Sequence, residues 1–454
     1  MFYIILYTGI MFASVWLYER KKPITNDYFL VANRRISGIV GSMSVASSWI
    51  WAPALYVSTQ VGYQWGYSGL IWFIVPNMLA LMIFAPFANL VRRKLPDGFS
   101  YIQHLQGSKG YFREVQLSVH LIVQVIILAI QAGAGSELIS AVSGVSYYLV
   151  LLIIIFGPLS YCLLSGLSSS VFTDAIQYVL ILLPVILIIF AFPEWDKVTF
   201  SSFKPFNPLD SKVLLEFGIA SSLTLLFSIF VDHQQWQRVF AARPESVCKT
   251  FIAAGFMHGA VTFGLGTLGI ILFSIGFKTA NPQLIGVEYV KLNMGQGFTA
   301  LFIIMGLCGL CSTINSCYCA FSSLYSTEIR KNNAVLRNSR EAMICLAFLA
   351  LVIGALRIPL ITIWLTIGII RLSAFCPTLA SVLIKNFSGR VGTAAIFCSV
   401  LLGMPLFIYG HLHNDSIART TGMLVSLVVG FLICLMERWR SGSTITTNPS
   451  SRYC

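Results

Sequence analysis

The sequence predicts an all-α polytopic membrane protein with about thirteen transmembrane helices. Three observations carry that expectation. Of the 454 residues, 57% are hydrophobic and only 10% charged; the mean hydropathy is +0.80; and apolar runs follow one another along nearly the whole chain. A soluble protein of this size carries about 25% charged residues, so a soluble enzyme, a secreted disulfide scaffold and a disordered chain are excluded. A bilayer-spanning helix takes about 20 apolar residues.

The first run, 2–18, has no basic stretch before it and no small-residue cleavage site, and reads as a helix rather than a removed signal. Twelve more follow at 37–60, 68–91, 115–142, 146–166, 170–192, 214–236, 249–276, 295–325, 341–356, 360–385, 392–410 and 420–436, the second, third and ninth of the thirteen being the least regular. In 37–60, Ser44, Ser47, Ser48, Trp49, Trp51, Pro53 and Tyr56 crowd the middle. Pro53 removes a backbone donor and frees a carbonyl near Trp49. Freed carbonyls beside serine hydroxyls are hard oxygen ligands of the kind Na⁺ accepts; small residues at a helix contact give the same composition. Span 295–325 offers a matching half, because Gly309, Ser312, Thr313 and Ser316 share one helical face. Two such faces in different helices favour ion binding.

Four charged residues fall within or at the edge of spans: Glu137, Asp174, Asp232 and Arg371. An intramembrane charge must pair or face water. Asp174 and Asp232 lie near span ends, where interfacial solvation competes with a functional role. Arg371 lies mid-span and must neutralise a buried acid such as Glu137 or bind an anionic or strongly polar solute.

The basic residues set the topology. Alternate loops hold 22 of the 30 Lys and Arg, the opposite loops hold 7, and the last is Arg371. Cationic loops stay in the cytoplasm, which places the amino terminus outside and the carboxyl terminus inside a cell (plasma or inner) membrane. The formal charge of +13 is therefore read as topology signalling, with the lipid bilayer and a small-molecule solute as partners and no nucleic acid. Residues 441–454 read as a loose polar tail.

Catalytic constellations are weak. The six histidines show no HExxH spacing, and His411 and His413 belong to an outer loop. Cys308, Cys311, Cys317 and Cys319 lie in an apolar helix without histidine partners, so a metal or redox centre is not expected. No Walker-type phosphate loop occurs. The expectation is no enzyme and no cofactor, with Na⁺, or H⁺ in its place, as coupling ion.

Three stretches carry a resemblance: Gly166-Leu-Ser-Ser-Ser-Val-Phe-Thr173-Asp174-Ala-Ile-Gln177, Asp232-His-Gln-Gln-Trp-Gln237-Arg238-Val-Phe-Ala-Ala-Arg243, and Cys311-Ser312-Thr313-Ile-Asn315-Ser316 running to Glu328. With Asn26–Arg34 ahead of the second span, they resemble the sodium:solute symporter family, whose core is of the LeuT type. The resemblance implies two inverted five-helix repeats, 37–192 and 214–386. Around them lie a first helix and cytoplasmic loop (1–36), an extracellular loop (193–213), two C-terminal helices (387–440) and the tail. It implies a Na⁺ site of Gly309, Ser312 and Thr313 with two carbonyls of the first core helix: Ser47 and Ile50, or, one residue back, Ala46 and Trp49. Spacing to Gly66 favours the first pair. Asp174, Gln177, Asp232, Gln237, Arg238 and Glu137 become coupling or gating candidates. The Trp49-Ile-Trp51-Ala pattern is similar to the urea-permease branch.

The expected function is Na⁺-coupled symport of a small polar organic solute by alternating access. Solute would fill a midplane pocket of Trp49, Trp51, Tyr56, Ser221, Ser222 and Arg371. The alternatives are a proton-coupled urea- or amide-type permease and a transporter-like membrane sensor, for which the tail leaves little room.

Overall fold

The computed structural model describes residues 2–357 and 360–441, so the tail expectation for 442–454 lies outside the described residues. Helices account for nearly all of it, and the sole bridge of β type among the described residues joins Ile36 to Ala242. In chain order the α-helices are α1 Phe2–Glu19, α2 Asn26–Val31, α3 Gly38–Trp49, α4 Ala52–Lys94, α5 Phe112–Ser143, α6 Tyr147–Ser165, α7 Leu167–Phe190, α8 Ser211–Val213, α9 Ile219–Ser228, α10 His233–Ala241, α11 Val247–Ser274, α12 Ile285–Asn293, α13 Gly295–Leu324, α14 Val335–Ala355, α15 Leu360–Leu383, α16 Gly389–Leu412 and α17 Ser416–Ser441.

Eleven of the described helical stretches are long and apolar enough to cross a bilayer. The expected thirteen and these eleven differ at two places. Helix α1 is shorter than the rest. The expected span 37–60 is not one helix bent at proline but two halves. Ile50 (φ −82°, ψ 73°) and Trp51 (φ −91°, ψ 175°) leave the helical region, and proline falls in the first turn of the next half, where its missing donor costs nothing. That second half runs into the next span through Gly66, whose φ of +62° bends the chain inside α4.

The expected span 214–236 is also divided. A π-turn at Leu214–Gly218 leads into α9, and the helix stops at Val231. Asp232 is extended (φ −117°, ψ 109°) and its carboxylate accepts from the Gln234 N–H, capping α10. Two of the expected spans are therefore interrupted.

Packing depends on close backbone approach. A methyl on Gly62 would sit 2.0 Å from the Gly266 carbonyl oxygen, and one on Gly269 would sit 2.0 Å from that of Thr59, so α4 and α11 meet through small residues. At Gly166, φ is +59° and a Cβ would lie 2.5 Å from the Phe29 carbonyl, which explains the glycine that opens α7. Helix α13 packs on α3, α5, α6 and α7, bringing its polar face into the centre of the molecule.

Candidate cation and solute site

The end of α3 and the middle of α13 are in contact. Where α3 stops, its last carbonyls have no helical partner. The Ser48 carbonyl accepts the Thr313 hydroxyl at 3.2 Å, and that hydroxyl also lies 3.2 Å from the Gly309 carbonyl. The Ser47 and Ser312 hydroxyls are 2.9 Å apart. A methyl built on Gly309 would lie 3.0 Å from the Ile50 carbonyl oxygen, so glycine here lets the broken end approach. Ser47, Ile50, Gly309, Ser312 and Thr313 thus sit together, all buried. The alternate pair lies in the same turn: the Ala46 carbonyl accepts the Ile50 N–H at 2.9 Å, and the Trp49 indole donates to Asn77 at 3.1 Å. These hydroxyls and carbonyls fit a small hard cation.

Two buried ion pairs flank this cluster. Asp174 accepts from Ser312 at 2.7 Å and Ser44 at 2.6 Å, and pairs with Arg238 at 2.7 Å. The guanidinium also donates to Ser44 at 2.9 Å, Ser316 at 2.6 Å and the Gln234 carbonyl at 3.1 Å. Both residues are nearly inaccessible to solvent, so interfacial solvation does not explain Asp174. The second pair is Arg371 with Asp232, Nη2 to Oδ2 at 3.4 Å. Gln124 donates to the other Asp232 oxygen at 3.2 Å, and the guanidinium lies over the Trp51 ring, 5.9 Å from its centroid.

A small cavity lies between the cluster and the second pair. Its wall is Ser48, Trp49, Trp51, Ile127, Asp232, Gln234, Thr313 and Arg371, and about 10 Å³ is open to the centre of a water-sized sphere, room for about one water. The Arg371 Nε and the Gln234 amide oxygen are buried without a partner. The wall therefore presents donors, acceptors and two indole faces.

The comparisons with known proteins decide the family. The model of the sodium:solute symporter family matches residues 28–403. The chain belongs to that family. It is 24% identical to the "Urea-proton symporter DUR3" of Oryza sativa subsp. japonica, over 92% of this chain and 67% of that protein. It is 27% identical to the "Probable urea active transporter 1" of Schizosaccharomyces pombe, over 67% of this chain and 50% of that protein. The chain thus spans about half to two thirds of the length of these curated relatives. Among solved structures, an outward-open, substrate-bound Na⁺-coupled sialic acid symporter superposes with a TM-score of 0.73, at 15% identity over 96% of this chain and 97% of that one. A nucleobase-cation-symport-1 family transporter closed around bromovinylhydantoin follows at 0.52 and 12% identity, over 94% and 97%. The fold is of the LeuT type, and the family is one of transporters, not enzymes.

For this symporter-family chain, several expected residues lie elsewhere. Arg371 pairs with Asp232 and not with Glu137, which is exposed. Tyr56 packs on Ala134 and Leu310 and is not part of the cavity wall. Ser221 and Ser222 donate to the Phe217 and Trp72 carbonyls and do not line the cavity, which takes Asp232 and Gln234 from the far side of the 231–232 break instead. Gln177 donates to Tyr7 at 2.6 Å, and Gln237 to the Leu30 carbonyl at 2.8 Å; both tie the core to the N-terminal segment. Sequence reasoning missed Gln124, Gln234 and Asn77. Gln116, His120 and Gln124 recur every fourth residue in an apolar span, a readable sign of a polar helix face.

Proposed function

We propose that the chain carries a small neutral polar solute of the urea or amide class across the membrane by alternating access, coupled to Na⁺ bound by Ser47, Ile50, Gly309, Ser312 and Thr313. One observation carries this reading: Thr313 belongs both to the hydroxyl and carbonyl cluster and to the cavity wall. An ion bound there changes the edge of the solute cavity, which is the differential interaction that coupling requires. The wall supports this solute class. Arg371 offers N–H groups to a carbonyl oxygen, Asp232 and Gln234 accept from amide N–H groups, and the indoles cover a flat face. The urea transporters among the relatives support the same class.

The cavity holds about one water, so urea enters only when the helices around it separate. The basic loops mark the cytoplasmic side in this reading, with the amino terminus outside. The two repeats are 37–192 and 214–386; the interruption of an early helix in each supports that division.

Thermal unfolding of the purified protein with urea, acetamide, a hexose, a carboxylate and an alkylammonium salt, each in Na⁺ and in choline, tests the proposal. Stabilisation by urea and acetamide that is larger in Na⁺ is expected. Stabilisation by the carboxylate or hexose alone, or equal shifts in both buffers, contradicts it. Proton coupling is the second reading, favoured by the relative from Oryza sativa, a urea-proton symporter. Uptake driven by a pH gradient in sodium-free buffer separates the two.

A further inference from the structure

Beyond the cation cluster, His120 and His233 stand out. Both are 0% exposed, their ring centroids are 6.2 Å apart with the planes at 81°, and all four ring nitrogens are buried without a hydrogen-bond partner. An unsatisfied buried polar group costs about 1–3 kcal/mol. If packing were the only requirement, an apolar ring would meet it more cheaply. What imidazole adds is a pair of ring nitrogens, one able to take a proton as the other gives one up.

The pair lies on a buried polar seam. At the cavity end, Asp232 precedes His233 in the chain and holds Gln124, one turn beyond His120 on α5. At the other end the Tyr101 ring lies 5.9 Å from His120. The Tyr101 hydroxyl meets that of Ser381 at 2.6 Å, and the Ser381 carbonyl lies 3.2 Å from His104 Nε2. His104 is only partly buried and lies within reach of Lys94 in the basic last turn of α4. Burial, aided by Lys94, lowers its pKa below the usual imidazole value. Of the charged and titratable groups, Arg371 from α15 acts on His120, the Tyr101 ring from the loop before α5 lies beside it, and Asp232 at the start of α10 is the chain neighbour of His233; Cys317 of α13 lies near Asp232 and Arg371 and accepts from Gln234 at 3.5 Å.

We propose that His120 and His233 form a proton-binding site, distinct from the Ser47–Thr313 cluster, that passes protons between the solute cavity and the basic-loop face. The proposal rests on the transport reading above and adds a second ion path to it. Each transfer moves one proton and no electrons. A ring nitrogen on the cavity side accepts H⁺, the N–H on the far side passes its proton to a bridging water, and the next ring repeats the exchange.

The test uses the full chain in proteoliposomes with a pH-reporting dye inside and labelled urea as solute, comparing wild type, His120→Gln, His233→Gln and His258→Gln. His258 is a buried, unpartnered histidine on α11, outside the seam. Urea exchange at equal pH and equal Na⁺ reports a working transporter; acidification of the lumen on net urea uptake reports proton movement. Wild type and the His258 variant are expected to do both, and the His120 and His233 variants to exchange urea without acidification. Unaltered acidification in the two seam variants overturns the proposal, as does wild-type uptake without proton movement. Absence of exchange in the wild type removes the transport reading itself, and the proton site with it. If a seam variant fails to fold, the wild type decides alone: uptake rate at fixed outside pH must change with inside pH, and independence of inside pH overturns the proposal.

Discussion

The Thr313 hydroxyl touches two carbonyls from two helices, so its removal deletes one ligand without opening a large void. Thr313→Ala is expected to raise the Na⁺ concentration that half-activates uptake by about tenfold, the equivalent of ~1.4 kcal/mol of lost binding, with unchanged protein abundance. Unchanged half-activation argues against the cluster as the ion site. At the Asp232–Arg371 pair the larger effect is on stability. Arg371→Gln leaves a buried carboxylate without its partner, which costs about 3–5 kcal/mol, and melting should fall accordingly. Asp232→Asn combined with Arg371→Gln should recover most of that loss but not uptake. Equal melting of the single and double variants would show that the pair does not act as a unit. The sequence made the buried charge on Arg371 visible but not its partner, because 139 residues separate the two and Asp232 looked solvated at the end of a continuous span. Ser312 and Thr313 stood out as hydroxyls at helical spacing beside a glycine in an apolar run, and the structure turns them toward the end of α3.

At the scale of elements, the interruptions of the helices matter most, and they were unequally legible. The break after α3 was signalled by proline, although its position was misread: proline begins the next half rather than bending one helix. The break before α10 carries no proline or glycine. Ile229, Phe230 and Val231 continue an apolar pattern, and only the capping carboxylate of Asp232 marks the end. The contact of α4 with α11 yields a separate prediction. Gly62→Val and Gly269→Val each force side-chain atoms into a facing carbonyl, and overpacking of this kind costs about 1–3 kcal/mol. Both variants should melt several degrees lower, whereas Gly9→Val, with nothing within 4 Å of a built Cβ, should melt as the wild type does. Similar melting for all three would mean that the two helices are not packed as described.

For the whole molecule, the order of spans and the skew of basic residues were legible because bilayer thickness and charge retention act on every segment alike. Which helices meet was not, since a long apolar helix carries little information about its neighbour. The orientation has its own test. Phe206 is exposed in the 193–213 loop, and Arg337 is exposed at the start of α14. In intact cells a membrane-impermeant maleimide should label Phe206→Cys above the wild-type background. Arg337→Cys should label only after permeabilisation, and the reverse pattern would invert the topology. The central claim, that oxygens of α3 and α13 hold the ion that drives uptake, is tested most directly by initial rates of labelled urea uptake into proteoliposomes. Pre-imposed Na⁺ gradients are applied with pH equal on both sides, comparing wild type with the Ser312→Ala, Thr313→Ala double variant. The account predicts saturable activation by Na⁺ in the wild type and none in the double variant; equal uptake in Na⁺ and choline by the wild type, or identical Na⁺ activation in both proteins, would contradict it.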